Sequence, residues 1–401
     1  MKRQILHIDV NNAFLSWSAL HLLKNGYELD IRTIPSVIGG DESRRAGVVL
    51  AKSTQAKMYG IVTGEPIYFA RQKCPMLKVY PSNYNIYSDY SNQLFQLLSN
   101  YTDKIERFSI DECFLDLTDA LYKTDLYTIS KEIQQKILDK LKFTVNIGLS
   151  NNKLLAKMAS DFEKPNKIHT LYPEEIPTKM WNLPISDLFM LGRKTVPKLK
   201  NMNINTIGEL ANYDKQELIK KFGKHGKQMW EYANGIDESE VDNSFQTPKG
   251  IGNSITLPKN AQNIDEILEI ILALTEQVTY RLRKYNLLAT TVNVQLRNKD
   301  FQNITHQKKL PVATSNTKTI FLVAKELVTE IYNSEPIRLV GLRVDGLQGR
   351  EEVQLSFFEE NPKQNKLDNT LDLLKEKYGY SSITRAGKMN VDNIINWKDK
   401  N

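Results

Sequence analysis

The chain has 401 residues, of which 41% are hydrophobic and 25% are charged, and its formal net charge at pH 7 is +7. At roughly 150 residues per domain, this length indicates two to four domains and excludes a single small module. The composition excludes wholesale disorder, a disulfide framework and a four-ligand zinc site, because no tract is dominated by Pro, Gly, Ser or Gln and the only cysteines are Cys74 and Cys113.

The N-terminal part of the sequence predicts an α+β layer. Hydrophobic periodicity predicts a strand at 5–10, a helix at 11–23, a strand at 47–51, a short helix at 54–59, a helix at 84–98, a strand pair at 108–117, a helix at 129–141 and a strand at 143–149. This order is typical of helices packed on one face of a mostly antiparallel sheet.

The remainder predicts short helices, a linker and a second α+β domain. Residues 175–235 have short helical patterns broken by Gly and Asn, and 236–250 is polar and charged. The second domain is predicted from strands at 251–257, 290–297, 304–310 and 336–344 and helices at 264–285 and 317–332. The tail is polar, with an apolar cluster at 355–358 and a weak helical pattern over 367–378.

Charge is distributed unevenly along the chain. Residues 75–130 carry 4 basic and 8 acidic side chains, a net charge of −4, whereas residues 190–235 carry 9 basic and 4 acidic, a net charge of +5. Residues 246–350 carry 14 basic and 9 acidic, again +5. An acidic island in a basic chain indicates divalent cations in one place and a polyanion elsewhere; the alternative is a protein with unevenly charged surfaces.

Three carboxylates are candidate catalytic residues. Asp9 lies near the end of a predicted buried strand, and Asp111 and Glu112 lie within the strand pair. Neighbouring side chains on a flat strand point to opposite faces, so these two can converge only where the backbone turns, as at a hairpin tip. Such a cluster suits hard divalent ions such as Mg²⁺, which can serve a phosphoryl transfer. Alternatively, Asp9 caps the following helix and the other two are turn residues.

Basic residues follow the strand that ends at Leu149. Lys153 and Lys157 share a helix face by their four-residue spacing, and Lys164 follows them. They are predicted to face the acidic residues and to hold an anion beside them, with a solvated lysine face as the alternative. Further on, a Gly turn between two short helices at 189–210 offers backbone N–H groups to a phosphate.

Four motifs in order resemble those of the Y-family DNA polymerases, the translesion enzymes, over about residues 4–350. They are Ile-Asp-Val-Asn-Asn-Ala-Phe at 8–14, Ala-Lys-Ser-Thr-Gln-Ala-Lys-Met-Tyr-Gly at 51–60, Ser-Ile-Asp-Glu-Cys-Phe-Leu-Asp at 109–116, and Gly-Leu-Ser-Asn-Asn-Lys at 148–153 continuing to Lys-Pro-Asn at 164–166. The resemblance implies a low-fidelity, template-directed DNA polymerase for lesion bypass, acting in DNA repair and in the SOS mutagenesis that follows DNA damage.

The fold implied by the resemblance is an α+β right-hand polymerase with palm, fingers and a helical thumb, followed by an additional α+β little-finger domain. On this sequence the implied domains are palm 1–13 and 75–170, fingers 14–74, thumb 171–236, linker 237–250, little finger 251–348 and tail 349–401.

The resemblance also assigns the catalytic centre. Asp9, Asp111, Glu112 and the Val10 carbonyl are the implied ligands of two Mg²⁺ ions, and the primer 3′-hydroxyl attacks the α-phosphate of the incoming nucleotide.

The nucleotide-binding residues implied by the family are Phe14, Thr54, Lys57 and Lys164. Phe14 matches the steric gate that excludes a 2′-hydroxyl, although its spacing also fits a core aromatic. Lys57 and Lys164 are the implied triphosphate contacts. Many family members have Tyr-x-x-Arg where this chain has Thr54 and Lys57, which looks more like the UmuC- and UvrX-like branch; a polymerase IV-like enzyme is the alternative within the family.

The implied DNA contacts lie on the thumb and the little finger and run along the duplex backbone. They are Gly192, Arg193, Lys194, Arg281, Arg283, Arg297, Arg338 and Arg343. Arg281 and Arg283 lie on a predicted helix and fit a solvated face as well. The thumb turn has Met190-Leu191-Gly192 in place of the usual Pro-Gly-x-Gly.

The tail residues Gln354, Leu355, Phe357 and Phe358 resemble the short peptide by which bacterial polymerases hold the sliding clamp; alternatively, they dock on their own protein. The expected partners are primer-template DNA, deoxynucleoside triphosphates, the clamp and accessory mutagenesis proteins. No apolar stretch approaches the roughly 20 residues that span a bilayer, so no membrane is expected and the expected location is cytoplasmic, on the nucleoid.

Two other functions are compatible with parts of this pattern. A non-catalytic, clamp-recruited DNA-binding scaffold could keep the fold, but the intact Asp9, Asp111 and Glu112 argue against it. A nucleotide cyclase or nuclease with a two-metal palm leaves the basic second domain and the tail peptide unexplained.

Overall fold

The structure, a computed structural model, describes residues 3–40, 47–119, 125–244, 248–350, 362–379 and 382–383. The chain forms two compact units, the first built mainly from residues before 245 and the second mainly from those after. Within the described ranges, no helix is long and apolar enough to cross a membrane.

The first unit combines strands with many helices. Its described strands are β1 (Ile5–Val10), β2 (Ser36–Gly39), β3 (Val49–Lys52), β4 (Lys78–Pro81), β5 (Ile105–Arg107), β6 (Glu112–Asp116), β7 (Val145–Ser150) and β8 (Ile168–Thr170). Its described helices are α1 (Ala13–Lys24), α2 (Thr54–Met58), α3 (Ile67–Lys73), α4 (Tyr84–Leu98), α5 (Leu126–Leu141), α6 (Lys153–Ser160), α7 (Ile176–Lys179), α8 (Val196–Lys200), α9 (Ile207–Ala211), α10 (Lys215–Phe222) and α11 (Lys224–Ala233).

The larger sheet of this unit has the order β5-β6-β1-β7-β8 and is antiparallel except between β7 and β8. Helices α1, α4 and α5 cover the face that carries Leu6 and Ile8. Helix α6 covers the other face, where Ala156 packs on Ile5 and Phe114. The prediction of helices on one face was therefore wrong for α6, and the fully apolar pattern of β1 and β7 is that of strands buried on both faces.

A smaller sheet of order β3-β2-β4 lies in the region predicted as fingers. Strand β4 continues this sheet past the predicted boundary at 74. The predicted boundary at 13/14 falls inside helix α1, whose Trp17 packs in the core of the larger sheet while Leu15 and Ala19 pack with Ile38. Helix α1 therefore connects the two sheets rather than belonging to one of them.

Short helices α7–α11 share one core, which also includes Leu154, Leu155 and Met158 of α6. The segment that follows α11 packs against α6 and the larger sheet. Asn152 donates a side-chain hydrogen bond to the Gly235 carbonyl at 2.9 Å, and the Leu154 N–H donates to the Asp237 carboxylate at 3.1 Å. The Asp242 N–H donates to Glu106 at 2.9 Å. The first half of the predicted linker 237–250 is therefore a packed segment.

The second unit has its elements in the predicted order, with longer strands. They are β9 (Gly250–Ala261), α12 (Ile264–Lys284), β10 (Leu287–Asn298), β11 (Asn303–Thr314), α13 (Thr317–Ile331), β12 (Ile337–Gly349) and α14 (Pro362–Tyr378). The sheet is antiparallel, in the order β11-β10-β12-β9. Helices α12 and α13 pack on one of its faces, where alternate residues such as Val292 and Val294 are buried.

Helix α14 docks on this helical layer through ion pairs. Arg283 on α12 contacts Asp372 through its Nε at 2.5 Å and Asp368 at 3.7 Å. Asp368 also accepts a hydrogen bond from the Thr317 N–H, at the start of α13. These side chains are nearly buried, so α14 is part of the second unit although it lies beyond the predicted domain end at 348.

Candidate active site

Two of the three candidate carboxylates face each other across neighbouring strands. Asp9 on β1 pairs in register with Glu112 on β6, and cross-strand partners present their side chains on the same face. Asp111 lies just before β6, and its carbonyl accepts a hydrogen bond from the Val10 N–H at 3.1 Å.

The backbone between β5 and β6 turns tightly, as the convergence of Asp111 and Glu112 requires. The N–H groups of Phe108 and Ser109 both donate to the Glu112 carbonyl, at 3.0 and 3.1 Å. The Ser109 hydroxyl donates to the Asp111 carboxylate at 2.6 Å. The Asp111 carboxylate is therefore held against the turn by Ser109.

The Asp9 carboxylate is buried and lies against the Lys164 ammonium group. Burial raises the pKa of Asp9 above its ordinary value, although Lys164 and Lys157 both act to lower it. For Lys164 the balance is reversed, because the charges of Asp9 and Asp161 outweigh burial and raise its pKa. Lys164 also contacts Asp161 at 2.8 Å.

Glu112 has a different electrostatic environment. Burial opposes its ionisation, but the His7 ring and the Lys157 ammonium group outweigh burial and lower the pKa of Glu112 to about 2. Lys157 Nζ lies 3.4 Å from Glu112 and 3.2 Å from Asp161. Glu112 is therefore held ionised throughout the neutral range.

A buried asparagine cluster places Lys164 beside Asp9. Asn146, the register partner of Asp9 on β7, donates to the backbone carbonyls of Ser160 and Glu163 at 3.0 and 2.6 Å. Asn11 donates to Asn146 at 3.1 Å and accepts from the Asn166 N–H at 2.9 Å. The loop that carries Lys164 is thus tied to the strand ends on both of its sides.

The donor chemistry of these residues fits a hard divalent ion. Asp9, Asp111 and Glu112 offer only oxygen atoms, which Mg²⁺ and similar ions prefer. Across the described residues no three possible ligands already lie at metal-binding separations. Instead, the half-exposed Lys164 side chain provides the positive charge beside the buried Asp9 carboxylate. A cation is therefore favoured next to Asp9.

Phe14 lies on the first turn of α1 with its ring parallel to the Tyr87 ring, at a centroid distance of 4.4 Å. It also meets the Tyr84 ring edge-on at 5.8 Å. The ring is partly buried. This packing fits the core interpretation, and the steric gate stays a prediction.

The structure separates the three lysines that follow β7. Lys157 and Lys164 lie at the carboxylates, whereas Lys153 contacts Glu106 at 2.6 Å and lies 5.2 Å from the Phe114 ring centroid. The prediction that Lys153 faces the acidic site was wrong, because one helical turn along α6 carries it away from Asp9 and Glu112. Thr54 and Lys57 lie exposed on α2, in the part of the first unit that contains the smaller sheet.

Two residues of this site were missed in the sequence. His7 is fully buried on the same face as Asp9, and alternation along β1 would have placed it there. Asp161 contacts both site lysines, and its spacing of four from Lys157 and three from Lys164 was the available signal.

Candidate DNA contacts are found on the open face of the second unit's sheet. Arg297 and Arg343 lie on this face, each with its Nε donating to a neighbouring side chain, Asn303 and Asp345, at 2.7 Å. A groove of about 340 Å³ on this face is lined by Gly252, Asn253, Ser254, Asn293, Gln295, Thr305, Gly341, Leu342 and Arg343. Lys309, which pairs in register with Thr291, is a further cation on this face that the sequence interpretation missed.

The other candidate DNA contacts differ in how accessible they are. Gly192, Arg193 and Lys194 are exposed in the turn before α8. Arg338 stacks its guanidinium group 4.9 Å from the Phe301 ring centroid. Arg281 donates to the Gly252 carbonyl at 3.2 Å, on the helical side of the sheet. Arg283 is held by Asp372, so its contacts argue against a role in binding phosphate.

The predicted clamp-binding residues Gln354, Leu355, Phe357 and Phe358 lie outside the described residues.

Comparison with known proteins gives matches over most of the chain. Residues 8–161 match the impB/mucB/samB family, residues 248–357 match the C-terminal domain of that family, and residues 186–237 match a thumb domain described for DNA polymerase-iota. A protein named DNA polymerase IV from Clostridium acetobutylicum is 47% identical over 388 residues, which cover 96% of this chain and 98% of that protein. A DNA polymerase IV from Acetivibrio thermocellus is 37% identical over 394 residues, covering 96% and 97%.

The fold has a counterpart among solved structures. A Y-family DNA polymerase chimera of Dbh and Dpo4 aligns with 86% of this chain and all of its own, with a TM-score of 0.77 and 24% sequence identity. At this identity the likeness concerns the fold alone.

Proposed function

This chain belongs to the Y family of DNA polymerases, and from that membership we propose how its residues carry out translesion synthesis. The expected fold and enzyme class are confirmed by the family matches and by the polymerase IV relatives. The protein is a low-fidelity, template-directed DNA polymerase that adds deoxynucleotides to a primer 3′-hydroxyl. The relatives named above carry the name DNA polymerase IV, the alternative to the UmuC- and UvrX-like branch.

The register pair of Asp9 and Glu112 is the observation that supports a metal-dependent centre. Divalent metal dependence follows from the family, and we propose that the metal is Mg²⁺, in two ions held by Asp9, Asp111, Glu112 and the Val10 carbonyl. Bound there, the ions would acidify the primer 3′-hydroxyl and neutralise charge on the triphosphate. Glu112 contributes a carboxylate that stays ionised, because His7 and Lys157 lower its pKa to about 2.

Lys164 is proposed to serve the triphosphate. Its ammonium group is charged and already lies at the Asp9 carboxylate, which is where a triphosphate bound beside a metal needs a counter-charge. Lys57 and Thr54, exposed on α2, are proposed to contact the same triphosphate. Phe14, supported by the Tyr87 ring, is proposed to exclude a 2′-hydroxyl by steric overlap.

The DNA duplex is proposed to lie along the open face of the second unit's sheet, and the exposed turn at 192–194 of the first unit is proposed separately as a contact to the phosphate backbone. The groove floor contains Gly252 and Gly341, whose missing side chains let a sugar-phosphate backbone approach the main chain. Arg297, Arg343 and Lys309 supply the cations, whereas Arg283 is not part of the proposed surface.

The function is tested by primer extension on undamaged and abasic templates. Asp111→Asn/Glu112→Gln, which keeps side-chain volume, is expected to abolish extension while binding of primer-template DNA is retained. The matched control Asp119→Asn/Glu163→Gln removes the same charge from exposed positions and should extend primers like the wild type. Full activity of the first variant would contradict the proposed catalytic residues.

The clamp interaction rests on the sequence Gln-Leu-Ser-Phe-Phe at 354–358. We propose that this peptide recruits the polymerase to the sliding clamp, on the nucleoid and beside accessory mutagenesis proteins. Leu355→Ala/Phe357→Ala should leave distributive synthesis unchanged and remove stimulation by added clamp. Stimulation equal to that of the wild type would contradict this assignment.

A further inference from the structure

A fully buried histidine lies behind Glu112. His7 is two residues before Asp9 on β1, and its Nε2 lies 3.5 Å from the Glu112 carboxylate. The ring packs against Phe114 at a centroid distance of 4.7 Å, and its Nδ1 lies 2.8 Å from the Ser160 hydroxyl. The Nε2 atom has no hydrogen-bond partner among the described residues, and at 3.5 Å the Glu112 carboxylate lies just within reach of an N–H on it.

Close packing of α6 on the sheet sets the Ser160 contact. Gly148 is the register partner of His7 on β7, and a Cβ at this glycine would come within 1.9 Å of the Ala156 carbonyl oxygen and 2.5 Å of the Ser160 nitrogen. Only glycine allows α6 to approach this closely, and the approach brings Ser160, the last residue of α6, onto the His7 ring.

The Ser160 hydroxyl has one proton and two acceptors within reach, the His7 Nδ1 and the Lys157 carbonyl at 2.8 Å. If the proton goes to Nδ1, the neutral ring carries its own proton on Nε2 and directs it at Glu112. In the opposite arrangement a lone pair of Nε2 would face an ionised carboxylate, which is electrostatically unfavourable. The geometry therefore favours the Nε2–H tautomer.

We propose that His7 is a positioning residue that orients the Glu112 carboxylate toward the metal ions. This inference rests on the proposed function and deepens it. A glutamate side chain has three rotatable bonds, and a fixed donor behind one of its oxygens restricts the directions in which the other can bind a metal. Lys157, at 3.4 Å, supplies charge to the same carboxylate but on a longer and more flexible side chain.

Two substitutions at His7 test the roles of the two ring nitrogens separately. His7→Gln places an amide nitrogen near the position of Nε2 and keeps a donor toward Glu112, whereas His7→Asn keeps a polar group near Ser160 and cannot reach Glu112. Both remove the ring from Phe114, so both should lower Tm. We expect His7→Asn to weaken metal binding about 10- to 100-fold and His7→Gln to stay within about threefold of the wild type.

Metal binding is measured by electron paramagnetic resonance of Mn²⁺ titrated into the complex with a dideoxy-terminated primer, template DNA and a deoxynucleotide, so that no turnover is needed. His169→Asn, at another strand of the same sheet, is the matched control and should bind Mn²⁺ like the wild type. Equal Mn²⁺ affinity of His7→Asn and the wild type would overturn the inference.

Two further measurements keep the inference testable if the His7 variants do not fold. Ser160→Ala removes only a hydroxyl and should weaken Mn²⁺ binding several-fold, and wild-type affinity would count against the proposed tautomer. The ¹⁵N chemical shifts of His7 in the wild-type protein should show Nε2 as the protonated nitrogen. A wild type that extends no primers would instead contradict the proposed function, independently of these results.

Discussion

The two carboxylates in register, Asp9 and Glu112, are one strand apart and yet have opposite electrostatic situations. Asp9 is buried enough to raise its pKa despite the lysine beside it, whereas His7 and Lys157 hold the pKa of Glu112 near 2. Both carboxylates are proposed metal ligands, but in the metal-free chain only Glu112 is stabilised in its charged form. The sequence named both residues as candidates and gave no sign of this difference, because it arises from burial and from side chains far away in the chain.

We expect Glu112→Gln to destabilise the metal-free protein at neutral pH. The folded-state pKa of Glu112 is about 2, against an ordinary value of 4.5, so its ionisation stabilises the folded chain above pH 4.5, and this contribution is lost as pH falls toward 2. After a discount for partial exposure, the loss at pH 7 is about 1–2 kcal/mol, or a few degrees in Tm.

Asp9→Asn is the matched comparison for that experiment. Because burial raises the pKa of Asp9, its ionisation at pH 7 costs stability, and the amide should leave Tm unchanged or raise it. Thermal unfolding of both variants between pH 4 and pH 8 in chelator measures the difference. A similar destabilisation by both changes would show that Glu112 has no special electrostatic support.

Phe14 packs against aromatic side chains of the core and is proposed to act as the steric gate. We expect Phe14→Ala to raise the ratio of kcat/KM for ribonucleotides to that for deoxynucleotides at least tenfold, about 1.4 kcal/mol of discrimination. Tyr87→Phe keeps the ring that stacks on Phe14 and removes only the hydroxyl bonded to Ser18, so its discrimination should equal that of the wild type. Unchanged discrimination in Phe14→Ala would leave Phe14 as a packing residue only.

Elements with long periodic patterns were predicted well. Short strands, and a helix that is attached mainly by ion pairs, were not. Strands β9–β12 and helices α12 and α13 of the second unit were anticipated in order, because alternation such as that of Val292 and Val294 is visible in the sequence. Strands β2 and β4 have only four residues each and were missed. Helix α14 gave a weak pattern because ion pairs, rather than a broad apolar face, attach it to its domain.

The docking of α14 predicts different consequences for two arginines that look alike in the sequence. Arg283→Ala would leave Asp368 and Asp372 buried without their guanidinium partner and should destabilise the second unit by about 3 kcal/mol. Its affinity for DNA, measured well below Tm, should not change. Arg343→Ala should show the reverse, with weaker DNA binding and an unchanged Tm, since Arg343 lies exposed on the open sheet face.

Thermal unfolding and fluorescence anisotropy with labelled primer-template DNA measure these two quantities on the same samples. Weaker DNA binding by Arg283→Ala at an unchanged Tm would restore the assignment of Arg283 as a phosphate contact. Asp372→Asn is the check from the other side of the ion pair, and it should lower Tm without affecting DNA affinity.

For the molecule as a whole, the net charge of +7 explains attraction to DNA but does not say which face binds it. The structure distinguishes the faces where the sequence could not, because neighbouring residues on one strand belong to opposite sides of the sheet. Lys309 pairs with Thr291 on the open face, whereas Lys308 points to the helices and contacts Glu326 at 2.5 Å. These two lysines therefore test whether DNA binding depends on total charge or on one surface.

We expect Lys309→Gln to reduce the slope of log K against log salt concentration by about 0.9, the value for one lost phosphate contact, and Lys308→Gln to leave the slope unchanged. Both variants lose one positive charge at adjacent positions, so a long-range effect of net charge would weaken binding equally in the two. Adding Arg343→Gln to Lys309→Gln should reduce the slope by about a further 0.9, with no dependence on the template sequence. Equal slopes for Lys308→Gln and Lys309→Gln would mean that DNA does not lie along this sheet face, and the turn at 192–194 would then have to supply the phosphate contacts.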